Sequence, residues 1–138
     1  MNLQPMVDLR NAIKGALAAA YAGRPVYTAE VTDITDADGV NVREFFTVFY
    51  DEFDESLDDE ALDDDLYSVS VRMTVGYFNS AASTDQSVLD AEAGDIRAAV
   101  VGLPLTAVDI ERAGGEYISG ADGAVPGMYF YFDVTFSN

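Results

Sequence analysis

The chain opens on a helical pattern. Met6, Leu9, Ile13, Leu17 and Ala20 recur at three- and four-residue intervals, while Asp8, Arg10, Asn11 and Lys14 fall on the other side. This spacing predicts an amphipathic helix from about Pro5 to Ala22. Proline is tolerated in a first turn, and Gly23 followed by Pro25 supplies a stop. A helix with one apolar stripe covers something, and a sheet is the natural candidate. The same stretch has a second reading as a targeting segment, because Arg10 and Lys14 precede an alanine-rich run and Ala20-Tyr21-Ala22 resembles a small-residue cleavage site. Asp8 among the basic residues, the shortness of the Ala16–Tyr21 run and the amphipathic spacing favour a helix of the mature fold.

Period two takes over afterwards. Val26 to Val31 alternate loosely and read as a first strand, and Thr32 to Gly39 break the pattern with turn chemistry, read as a hairpin with an Asp-Gly turn. Arg43 to about Tyr50 reads as a second strand, with Phe45, Phe46, Val48, Phe49 and Tyr50 apolar on both faces. From Leu66 to Phe78 the alternation is clean: Tyr67, Val69, Val71, Met73, Val75 and Tyr77 point one way, and Ser68, Ser70, Arg72, Thr74 and Gly76 the other. Thr84 or Asp85 caps a second helix whose stripe is Val88, Leu89, Ala93, Ile96 and Val100, ended by Gly102 and Pro104. Thr106 to Ile118 reads as extended, with a bulge or close backbone approach at Gly114-Gly115. After a loop from Gly120 to Gly127, Met128, Phe130, Phe132, Val134 and Phe136 share one face of a closing strand, and Tyr129, Tyr131, Asp133 and Thr135 the other.

The order of elements lacks regular βαβ alternation. It predicts a single α+β domain spanning residues 1–138: a mostly antiparallel sheet of about four to five strands with two main helices packed on one face. The far face, carrying Tyr129, Tyr131, Ser70 and Thr74, is semi-polar and suits a subunit contact.

Composition narrows what such a domain does. Of its 138 residues 25 are acidic and seven basic, a net charge of −18, with no histidine and no cysteine. The missing histidine removes the commonest general base and imidazole ligand, and the missing cysteine excludes disulfides and thiolate zinc sites. The expectation is a protein that is not an enzyme and carries no cofactor or structural metal. The charge repels phosphate backbones and anionic membrane surfaces. A hydrophobic content of 49% is too high for a disordered acidic tail, so the charge decorates a packed core.

Two segments need individual weighing. An EF-hand loop with Gly39 at its sixth position would need acidic ligands at Ile34 and Phe45, and has neither. Between Asp51 and Asp65, ten of fifteen residues are carboxylates: Asp51, Glu52, Asp54, Glu55, Asp58, Asp59, Glu60, Asp63, Asp64 and Asp65. The spacing of Phe53, Leu57 and Ala61 suits a short amphipathic turn, with a solvated loop as the simpler alternative. Functionally the segment would be an assembly surface or a lumen lining that fends off DNA.

The opening helix, the strand Tyr67–Phe78, the helix containing Val88-Leu89-Asp90 and Ile96, the Gly114-Gly115-Glu116-Tyr117 stretch and the closing strand Met128–Phe136 together resemble, in order and character, the lambda-type tail terminators of long-tailed bacteriophages. The likeness covers about three quarters of the chain, and the acidic insert at 51–65 departs from it. It implies a virion protein, assembled in the host cytoplasm, that forms a hexameric ring on the head-proximal end of the tail tube. Such a ring ends tube polymerisation and offers a joining surface to the head connector. Its partners would be itself, the tube protein and the connector protein, with DNA passing through unbound and no membrane involved. Arg43, Arg72, Arg97 and Arg112 are then candidates to bridge to a neighbour's acids, Arg72 first, with Tyr129 and Tyr131 as candidate contact residues. The alternatives are surface ion pairs within one subunit for the arginines, and a connector adaptor or an acidic DNA-mimic inhibitor for the whole protein.

Overall fold

The computed structural model describes residues 4–31, 43–57, 67–105, 108–120 and 124–137, and of 52–57, 67–69 and 137 the backbone alone. The amphipathic opening segment forms α1 (Gln4–Ala20), and its buried positions Met6, Leu9, Ile13 and Leu17 are the predicted stripe. α2 (Ser87–Val101) buries Leu89, Ile96 and Val100. Asp85 organises its start, accepting from the Ser87 N–H at 3.0 Å and the Ser87 hydroxyl at 2.6 Å. Those two bonds hold the Asp85 carboxyl below its usual range.

Five strands make one sheet: β1 (Val26–Tyr27), β2 (Glu44–Leu57), β3 (Tyr67–Asn79), β4 (Val108–Ile118) and β5 (Gly127–Ser137), in the order β1-β2-β3-β5-β4. All pairings are antiparallel except β1 with β2. Both helices lie on one face, where their stripes meet Phe46, Val48, Val71, Met73, Val75, Tyr77, Phe130, Phe132, Val134 and Phe136 in one continuous core. The fold is α+β as the pattern predicts.

Three expectations change. The first strand is two residues long rather than reaching Val31, and it runs parallel to β2, with Val26 opposite Phe46 and Tyr27 opposite Thr47. A parallel pair cannot be closed by a tight turn, so these strands are not a hairpin; Asp38-Gly39 and the rejected calcium loop lie largely outside the described residues. The second strand does not stop at Tyr50. It continues to Leu57, pairing with β3 as far as Tyr67. The helical turn read at Phe53 and Leu57 is therefore extended backbone up to Leu57. A spacing of four is even, so it fits one face of a strand as well as one face of a helix. The register slips between Tyr50 and Glu52, which places a bulge at Asp51.

The Gly114-Gly115 bulge is present. Between Arg112, opposite Phe132, and Gly115, opposite Phe130, β4 carries two residues against one of β5. Gly114 has φ +88°, a left-handed conformation costly to any residue with a Cβ. At Gly115 a Cβ would stand 2.3 Å from the Tyr129 carbonyl oxygen, so only glycine lets the two backbones come this close.

Candidate functional site

The register sorts the helix-free face into rows that change character along the sheet. At one end Phe45, Phe78 and Ile118 lie in one row across the sheet, with Gly127 of β5 between the last two. With Phe49, Val125 and Tyr129 they form a second apolar cluster, joined by Tyr27, Val31 and Tyr131. Phe45 stacks on Phe78 with centroids 4.8 Å apart, and Tyr129 meets both Phe49 and Phe78 edge-on. The opposite end is charged. Glu52 pairs in register with Arg72, Arg72 with Asp133, and Asp133 with Glu111, and the next row runs Asp54, Ser70, Thr135, Asp109.

Arg72 sits centrally in this charged half. Its Nη2 lies 3.3 Å from Asp133 Oδ1, and its guanidinium 5.7 Å from the Tyr131 ring centre. The pair is open to solvent, with side chains 42% and 57% exposed, so it is worth only about 0.2–1 kcal/mol. Tyr131 donates its hydroxyl to Glu116, and burial together with that carboxylate pushes the phenol up to about 12. The buried Thr74 hydroxyl donates to Asp51 at 2.6 Å, tying down the bulge in β2. Tyr129 is buried at 8% exposure, so it is a core residue and not a contact offered to a partner. Burial, and then Glu30, Asp51 and Glu116, raise its pKa.

The other predicted cations lie elsewhere. Arg43 is exposed where the chain enters β2, and its carbonyl accepts from the Ser80 N–H at 2.7 Å. Arg112, on β4 opposite Phe132, shares the helix-covered side with Arg97 of α2. Arg97 lines a groove of about 320 Å³ between α2 and β4, floored by Ala93, Met128 and Phe130, with Gly114 and Gly115 at its edge. Of the acidic segment, Asp51 is exposed, Glu52, Asp54 and Glu55 lie along β2, and Asp58, Asp59, Glu60, Asp63, Asp64 and Asp65 fall outside the described residues.

Arg24 is a site the sequence reading passed over. Its Nε lies 2.9 Å from Glu44 Oε1, its Nη1 3.8 Å from Glu92, and its guanidinium 4.8 Å from the Tyr21 ring. Glu44 also accepts from the Tyr77 hydroxyl at 2.7 Å. Burial first, and Glu44 beside it, push that phenol up to about 12. This knot joins the chain after α1 to the starts of β2 and the flank of α2, so its role is architectural. An isolated arginine between Gly23 and Pro25 gave no periodic signal.

Among the described residues no group of three or more carboxylates could hold a metal ion, and no helix is long and apolar enough to cross a membrane. No protein-family model and no curated protein matches the chain.

Proposed function

We propose that this protein is a structural virion subunit of the tail-terminator kind, forming a ring at the head-proximal end of a phage tail tube and presenting a joining surface to the head. The observation that carries the reading is the divided sheet face. Its aromatic half is covered by the chain's own segments, while among the described residues its other half is exposed and mostly anionic, with Arg72 set beside Asp133 and exposed Glu111 and Asp109 in the adjoining register. An anionic wall does not grip phosphate, so DNA passes it without the counterion release that drives binding. The partners the resemblance implies are further copies of the chain, a tube protein and a connector.

Native mass at high protein concentration, with and without magnesium and added salt, tests the reading. A sixfold species emerging as the net charge of −18 is screened is the expected result. A stable dimer under every condition, or a monomer under every condition, sinks the ring.

A further inference from the structure

We infer that the α2–β4 edge and the acidic half of β2 are the two sides of one contact between copies of this chain, which joins them head to tail. The inference rests on the ring reading and adds which surfaces meet. In the order β1-β2-β3-β5-β4, β3 and β5 separate the two surfaces, so they look out from opposite sides of the sheet.

The receiving edge has unspent positive charge. Arg24 and Arg72 are engaged within the subunit, whereas Arg97 and Arg112 have no ion-pair partner among the described residues. The carboxylates nearest the groove, Asp90 and Glu116, accept the hydroxyls of Tyr117 and Tyr131 and, among the described residues, form no ion pair with Arg97 or Arg112. What the edge offers a ligand is two guanidiniums, the apolar floor of Ala93, Met128 and Phe130, and at Gly114, where a Cβ would meet nothing within 4 Å, a backbone that an incoming strand can approach closely. Guanidinium forks suit carboxylates. The matching chemistry is carboxylates interleaved with apolar residues, and the chain carries it in Asp51, Glu52, Phe53, Asp54, Glu55 and Leu57.

Because donor and receiver differ, the contact is heterologous, and it closes into a ring if the rotation permits. Pairing β4 with its own copy about a two-fold axis centred on its charged stretch would instead oppose Glu111 to Glu111 or Arg112 to Arg112, which is unfavourable.

Two double variants test this, each checked for unchanged circular dichroism and melting, with assembly followed by sedimentation velocity. R97Q/R112Q removes the receiver and takes the net charge from −18 to −20; D54N/E55Q removes the donor and takes it to −16. Repulsion by net charge alone would make the second assemble better than the parent. The docking contact makes both lose the sixfold species, with association weakened at least about tenfold, and makes an equimolar mixture form a one-to-one dimer through the single intact donor–receiver pair. A D54N/E55Q protein that assembles as well as the parent, or a mixture that stays monomeric, overturns the contact while leaving the ring standing. A parent chain that never self-associates overturns both.

Discussion

Replacing Arg24 by alanine is the sharpest test of how this fold is held at the end where α1, β2 and α2 meet. The variant removes a 2.9 Å charge-assisted bond to Glu44 whose partners are 26% and 30% exposed. A hydrogen bond to a charged group contributes about 1.5–3 kcal/mol, and partial solvent screening brings this one to roughly 1–2. The stacking of the guanidinium 4.8 Å from the Tyr21 ring adds about 0.5–1 kcal/mol. The expected loss is therefore about 1.5–3 kcal/mol. For a chain of this size each kcal/mol moves Tm by roughly 3–5 °C, so the midpoint should fall by about 5–15 °C. Urea unfolding measures the free energy directly. Arg24→Lys keeps the charge and loses the planar fork, and should cost about half as much. Because Glu44 also holds Tyr77 and Asn79, a cycle of Arg24→Ala with Glu44→Gln should show coupling above about 0.5 kcal/mol. A loss under about 0.5 kcal/mol for Arg24→Ala, or additive single effects, would refute the clamp.

Arg72→Glu, at the first of the candidate bridging arginines, sets a carboxylate against Asp133 and beside Glu52 in register. It should destabilise the monomer by about 1–2 kcal/mol. Arg72→Gln should cost under about 1 kcal/mol in chemical denaturation, and so separates assembly from folding. Gly115→Ala forces a Cβ against the Tyr129 carbonyl and should cost about 1–3 kcal/mol; an unchanged unfolding midpoint would mean the bulge relaxes freely. Stability should also fall at alkaline pH. Tyr77 is raised to about 12 and Tyr50 is raised too, in both cases mainly by burial, so the folded state keeps protons that unfolded tyrosines release near pH 10. That stability is whole below about pH 10 and is lost as the pH climbs toward 12 and beyond, and Tyr77→Phe should flatten the slope of unfolding free energy across that window.

The faces of the elements were legible in the sequence, and their pairings were not. Alternation through Ser70–Tyr77 and Met128–Phe136 placed each residue on its correct side, because successive residues of a strand turn to opposite faces. It put Asp133 on the tyrosine face, yet the Arg72–Asp133 pair follows only once β5 is known to lie beside β3. Strand order and direction are non-local, which is why the parallel β1–β2 pair was misread as a hairpin. The bulge at Asp51 was hidden differently: carboxylates have low β-propensity, and the spacing of Phe53 and Leu57 is shared by both periods. Gly114-Gly115 was readable because paired glycines in an extended run have few other uses.

Electrostatics decides under which conditions such a chain could assemble. Two copies at −18 repel through their summed fields, which reach about 30 Å at 0.01 M salt and only about 8 Å near 0.15 M. Contacts such as Arg97 or Arg112 to a neighbour's carboxylates act at a few ångströms, inside the shorter length, and so survive salt that has already removed most of the long-range repulsion. Near 1 M the screening length shrinks to about 3 Å, and those contacts fade as well. Self-association of this chain should accordingly rise and then fall as sodium chloride increases, with its maximum at intermediate ionic strength. Sedimentation velocity across a salt series reads this directly. A monotonic rise would assign the contact to apolar surface, whose burial salt does not weaken, and would remove the arginines from it.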